Sequence, residues 1–461
     1  MRFNSYTFFI FLGVYLLFYI FSHKHNKTFK IGTVIFSYFF YAWTYPPYIA
    51  LLLVSTVIDY FCGLKIEYES EKRRRRFFLI ISLVANLGML GYFKYCNFFI
   101  SSFSGIFGFG MHHLDIILPV GISFYTFQSM SYTIDVYRKK IPHEKSFLDF
   151  ALYVSFFPQL VAGPIVFARD FLKQLKTPPK YDVDNLYRGV MLILFGYFLK
   201  SVIADNLSNA VDQFFLNPSL FSSYEALYYC YCYAFQIFGD FAGYSYIAIG
   251  IALILGFVFP KNFDYPYLSI SITDFWRRWH ISLSTWLKEY LYFSLGGNKF
   301  GVLKTYRNLM ITMLLGGLWH GASWNFVIWG GIHGSMLAVE KFLISAFPAF
   351  FESKNKFLLF LRWFITFHLV ILAWIFFRSS SLDKVWEVFG ALGNFSNSPY
   401  LLQARIPFLM IAIIFAAALF REKIYNIIFS NKIVYSFTAF VLFYLWLTMG
   451  KNSNSFIYFQ F

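Results

Sequence analysis

Charge is scarce in this chain. Asp, Glu, Lys and Arg together supply 13% of its 461 residues, about half the ~25% usual for a soluble domain. Acidic residues are the scarcer kind: 23 against 39 basic ones, for a formal net charge of +16. No large polar domain exists to present a basic face to nucleic acid, so no nucleic-acid partner is expected and the excess of Lys and Arg belongs to membrane-flanking loops. Cysteine is limited to Cys62, Cys96, Cys230 and Cys232, all in apolar runs and none in a C-x-x-C pair. That argues against a zinc knuckle and a redox motif and reads as small buried apolar residues. The histidines show no H-E-x-x-H spacing and no acidic cluster surrounds them, so no metal is expected. The apolar run at 6–21 is followed by Ser22-His23-Lys24-His25 and no small-x-small cleavage site, which predicts a retained first span. No internal repeat is visible, and an inverted-repeat transporter has little support.

What is abundant is apolar and aromatic: 58% hydrophobic residues and 64 phenylalanines. Such a composition predicts an all-α polytopic membrane protein forming a single domain over 1–461. Apolar runs place spans at 3–22, 31–45, 48–64, 77–100, 116–137, 186–204, 226–259, 306–319, 323–340, 363–377, 406–420 and 434–450. Several fall short of the ~20 residues a straight crossing needs. Short runs broken by Gly or Pro predict helices that end within the membrane, packed in protein. The basic stretches at 24–30 and 65–76, with Lys72-Arg73-Arg74-Arg75-Arg76, belong inside, as do Arg138, Lys139, Lys140, Arg169 and Lys173. The positive-inside pattern then predicts both termini outside and 147–166 entering and leaving on one side. The loop at 205–224 carries no Lys or Arg and is expected outside. Residues 261–306 break the pattern: Asp274 to Tyr290 alternates aromatics with charges and predicts an amphipathic helix in the cytoplasmic interface, capped by Thr273 or Asp274. Asp59, Asp135 and Asp240 lie in apolar runs and are expected to pair with neighbours, since isolated charges there are costly.

The stretch from Gly316-Gly317-Leu318-Trp319-His320-Gly321-Ala322-Ser323-Trp324 to Trp329-Gly330-Gly331-Ile332-His333-Gly334 has no acidic residue anywhere between Arg307 and Glu340. Two imidazoles in a hydrocarbon setting mark a buried acid–base centre. The competing reading is a helix-packing element, with glycines for close approach and histidines bonded to backbone.

Separated motifs then agree on one resemblance. Asp274-Phe275-Trp276-Arg277-Arg278-Trp279-His280-Ile281-Ser282-Leu283-Ser284, Gly317-Leu318-Trp319-His320-Gly321-Ala322 and Trp329-Gly330-Gly331-Ile332-His333-Gly334 resemble the membrane-bound O-acyltransferase family. Leu118-Pro119-Val120-Gly121-Ile122-Ser123-Phe124-Tyr125 and Phe156-Phe157-Pro158-Gln159-Leu160-Val161-Ala162-Gly163-Pro164 are similar to its bacterial polysaccharide O-acetylation branch. The resemblance implies a ring of about twelve transmembrane helices with re-entrant and interfacial helices around a central funnel or tunnel. It also implies an inner-membrane acyltransferase whose catalytic histidine corresponds to His320. The donor it implies is a cytoplasmic thioester, acetyl-CoA. The acceptor is an extracytoplasmic polysaccharide, peptidoglycan ahead of alginate, reached through a periplasmic SGNH-type partner.

The residue types fit that chemistry. His320 is the candidate base, and a neutral imidazole in hydrogen-bond reach of a hydroxyl contributes typically 10²–10⁴-fold. His333 is the candidate to orient it or to stabilise an oxyanion, with a structural role as the alternative. Arg277, Arg278 and Lys288 are candidates to hold coenzyme phosphates, with attraction to anionic membrane lipid as the alternative. His280 is expected to be structural or part of the donor site. The tail at 451–461 is almost wholly aromatic, which a free polar terminus is not. Either it is a packed interfacial anchor, or it folds back and places the Tyr458 hydroxyl near His320 as a transient acyl carrier, the relay that the resemblance implies. A transporter of an acyl carrier without chemistry, and a scaffold that recruits a periplasmic enzyme, remain as other classes.

Overall fold

The computed structural model describes residues 1–43, 45–108, 110, 112–161, 163–395, 416 and 419–451. Every regular element among them is helical. In hydrocarbon each backbone N–H and C=O must be satisfied within the chain, and an α-helix does this without a partner strand. Seven helices among the described residues are long and apolar enough to cross a membrane; the expected span at 406–420 lies largely outside the described residues. By contacts the chain divides into two compact units, Met1–Ile193 with Ile247–Pro260, and Leu194–Tyr246 with Lys261–Phe461.

The first unit holds α1 (Tyr6–Ser22), α2 (Asn26–Ala42), α3 (Tyr48–Tyr68), α4 (Lys72–Leu90), α5 (Cys96–Phe107), α6 (Ile122–Tyr137), α7 (Phe147–Ser155), α8 (Phe157–Leu160), α9 (Ala168–Gln174) and most of α10 (Val183–Tyr197). Asp59 and Asp135 have partners, as expected. Asp59 on α3 accepts hydrogen bonds from Ser82 and from the Asn86 amide on α4. Asp135 faces Arg169 at 3.6 Å and Lys140 at 3.7 Å, and Lys30 pairs with Asp149 at 2.8 Å. The stretch at 147–161 is α7, a break where Phe156 turns to ψ 111°, and the single turn α8. None of these pieces has the length to cross a bilayer.

The second unit holds α11 (Asp205–Leu216), most of α12 (Ser223–Ile254), α13 (Ile272–Arg278), α14 (Ile281–Trp286), α15 (Val302–His320), α16 (Trp324–Ala346), α17 (Pro348–Glu352), α18 (Lys356–Arg378), α19 (Leu382–Leu392) and the helices Arg421–Ser430 and Lys432–Met449. Lys200, inside a π-helical turn at Phe198–Ala204, bridges Asp205 and Asp240 at 2.7 Å each.

Two expectations are corrected here. The supposed loop at 205–224 is largely α11, which buries Leu207, Val211, Phe214 and Phe215. That 3.6-residue stripe was diluted by the polar residues between its members. The supposed single amphipathic helix from Asp274 to Tyr290 is broken at Trp279 and His280, where His280 adopts φ +42°. Asn262 enforces the break. Its carbonyl accepts the Ile281 N–H at 2.9 Å, and its side-chain oxygen accepts from the Ser282 hydroxyl at 2.8 Å. Helix α13 is capped by Ser271, whose hydroxyl accepts the Asp274 N–H, and not by Thr273 or Asp274.

Candidate active site

The glycine- and tryptophan-rich stretch forms one helical hairpin. Helix α15 ends on His320, Gly321 is extended, and the Ser323 hydroxyl caps α16 by accepting the Asn325 N–H. Asn325 also donates to the Ser379 carbonyl at 2.7 Å, tying the turn to the end of α18. The two helices touch backbone to backbone. A Cβ on Gly317 would overlap the Phe326 carbonyl oxygen, and one on Gly330 would overlap that of Met313. The packing role that the sequence offered as a rival to chemistry is thus real, and it belongs to the glycines.

The histidines sit in an aromatic core. His320 is 3% exposed, with its ring edge-on to Trp319 and Trp329 at centroid distances of 5.1 Å and to Phe377 at 5.3 Å. His333 is fully buried one turn further along the Trp329 side, 4.8 Å from that indole. The structure therefore brings His320 and His333 onto one tryptophan: Trp329 touches both imidazoles. The Trp276 indole N–H, on α13, donates to His333 Nδ1 at 3.3 Å. An indole nitrogen only donates, so Nδ1 is the accepting nitrogen and the proton of the neutral ring resides on Nε2. His333 is thereby set as a hydrogen-bond donor through Nε2.

His280 is fully buried, edge-on to Phe241 at 4.6 Å and near Trp319 at 5.9 Å. Its Nδ1 donates to the Asn262 side-chain oxygen at 3.1 Å. Burial pushes its imidazole down to about 3 from the ordinary 6.5, so it is neutral at working pH.

The candidate donor-site cations behave differently from one another. Arg277 is exposed. Arg278 is half-buried and its Nε is taken by Asp274 at 2.8 Å. Lys288 is exposed, its ammonium 5.8 Å from the Phe293 ring. Among the described residues Arg277 and Lys288 have no carboxylate partner, whereas the Arg278 charge is met by Asp274. Tyr458 lies outside the described residues. The helix leading towards it is anchored: the Met449 carbonyl accepts from Asn206 at 2.8 Å, and the Lys451 N–H donates to Ser201 at 3.0 Å. Among the described residues no group of three His, Cys, Asp or Glu is placed to hold a metal ion.

Sequence reasoning missed Trp276 and Asn262. Trp276 stood in a quoted motif, but its alternation with arginines read as an interfacial face; Asn262 carried no signal at all.

A profile of the MBOAT, membrane-bound O-acyltransferase, family matches residues 136–382, a span containing His280, His320 and His333. The chain belongs to this family. It is 42% identical over 406 residues to a probable alginate O-acetylase of Pseudomonas aeruginosa, covering 86% of this chain and 76% of that one. It is 40% identical over 405 residues to a peptidoglycan O-acetyltransferase of Helicobacter pylori, covering 82% and 76%. A teichoic acid D-alanyltransferase of Bacillus subtilis is 29% identical over 286 residues, covering 57% and 69%. The protein is a multi-pass membrane acyltransferase.

Proposed function

We propose that this acyltransferase takes acetyl from a cytoplasmic thioester, acetyl-CoA, and passes it across the inner membrane for O-acetylation of an extracytoplasmic polysaccharide. The observation that carries the reading is the pair of buried imidazoles sharing Trp329, one of them fixed as a donor by Trp276. In this reading His320 is the general base. It removes the proton of the attacking hydroxyl as the new C–O bond forms, then returns that proton to the departing sulfur as the C–S bond breaks. His333, with its proton on Nε2, is the donor towards the carbonyl oxygen that gains charge. Arg277 and Lys288 hold the phosphates of the donor, with Arg278 beside them.

The first hydroxyl acylated is that of Tyr458. Aryl esters are activated, and a tyrosine relay spares both the coenzyme and the polysaccharide from crossing the membrane. A periplasmic SGNH-type transferase then carries acetyl to the polysaccharide. Both termini lie on that outer side. Peptidoglycan and alginate are equally supported as the acceptor, because relatives of nearly equal identity are named for each. The test is the purified protein in liposomes given labelled acetyl-CoA. Release of CoA together with a base-labile label on the C-terminal peptide supports the reading. CoA release no faster than from empty liposomes ends it.

A further inference from the structure

A groove of about 820 Å³ runs along α15, α16 and α18, away from the paired imidazoles. Its walls are apolar: Met310, Leu314, Ile328, Ile332, Ile365 and Leu369. Two of the three helices, α16 and α18, are candidate membrane spans, and most of their residues are not buried within the protein. An apolar trough on membrane-spanning helices offers a surface that acyl chains cover.

One end of the groove is different. Arg362 lines it beside Phe350 and Phe351, where α16 gives way to α17. Its Nη1 donates to the Phe351 carbonyl at 2.6 Å and the guanidinium lies 5.4 Å from the Phe351 ring. Its Nε is shut off from solvent and has no acceptor among the described residues. The nearby carboxylate, Glu340, is occupied elsewhere: it accepts the backbone N–H groups of Ile272 and Thr273 at the start of α13. Arg362 is therefore a cation without a carboxylate partner among the described residues. A guanidinium at the end of an apolar groove, with no carboxylate to neutralise it, attracts an anionic oxygen. Exposed Lys341, Lys354 and Lys356 flank the same end, the pattern of a segment facing an anionic leaflet.

We propose that this groove is a site for an anionic phospholipid, with one acyl chain lying between α15, α16 and α18 and the headgroup phosphate on Arg362. The chain supplies the apolar complement and the phosphate meets the guanidinium charge that no carboxylate meets among the described residues. Gly331 and Ser335 open the groove along α16. Because they also form a small-x-x-x-small pair, a second copy of this helix is the competing occupant.

The test uses the purified full-length protein, delipidated in detergent and titrated with phosphatidylglycerol or phosphatidylcholine, with bound lipid counted by native mass spectrometry. Wild type should retain one phosphatidylglycerol that it does not retain as phosphatidylcholine. Arg362→Gln should weaken that binding about tenfold, and Ser335→Trp, which fills the trough and leaves Arg362 in place, should abolish it. Equal retention of the two lipids by wild type overturns the proposal without need of any variant. So does undiminished phosphatidylglycerol binding by Arg362→Gln, or a dimer that Ser335→Trp dissociates.

Discussion

A neutral imidazole has one proton and one lone pair, and at His333 the Trp276 indole decides which nitrogen carries which. Trp276→Phe keeps an aromatic ring against His333 and removes the N–H that fixes the tautomer. A neutral hydrogen bond of this kind contributes about 1 kcal/mol, so kcat should fall about fivefold with KM for the donor unchanged. His333→Ala should cost far more while leaving residual turnover; full activity in that variant reduces His333 to packing. At this scale the sequence was legible where chemistry and setting conflicted. His320 and His333 stood out because a titratable group in hydrocarbon is costly. Trp276 did not, because its partner lies 57 residues away and nothing local distinguishes an indole turned inward from one in an interface.

Among the elements, the α15–α16 hairpin sets the distance between the imidazoles through bare backbone contact. Gly330→Ala puts a methyl against the Met313 carbonyl, and overpacking of this kind costs about 1–3 kcal/mol. A lowered melting temperature in detergent, with activity lost in step, is the expected result; an unchanged melting curve contradicts the close approach. The segment carrying Arg277 and Arg278 gives a different kind of prediction. Phosphate contacts remote from the reacting carbonyl contribute mainly uniform binding. Replacing both arginines with glutamine should raise the apparent KM for acetyl-CoA roughly tenfold and change kcat little. An unchanged KM favours contact with anionic lipid. Long apolar runs such as α3 and α18 were readable from composition alone. The failures were α11, whose stripe is diluted by polar residues, and the break at His280. That break depends on Asn262, which reaches it only after the chain has folded.

Over the whole molecule, the proposed reaction has to move an acetyl group between a donor and an acceptor on opposite sides of a membrane. Composition disclosed the membrane setting; the motifs disclosed the family. The tail carrying Tyr458 follows a helix end tied to Ser201 and Asn206. Tyr458→Phe keeps the ring and removes only the hydroxyl. It should abolish label on the C-terminal peptide and transfer to the acceptor; normal transfer by this variant, together with loss on truncation, makes the residue packing. The most direct measurement is the rate of CoA release from labelled acetyl-CoA by His320→Ala in liposomes, beside wild type and with a matched melting curve as the folding control. A general base in this role predicts a loss of about 10²–10⁴-fold at unchanged stability. Turnover within a few-fold of wild type contradicts the account.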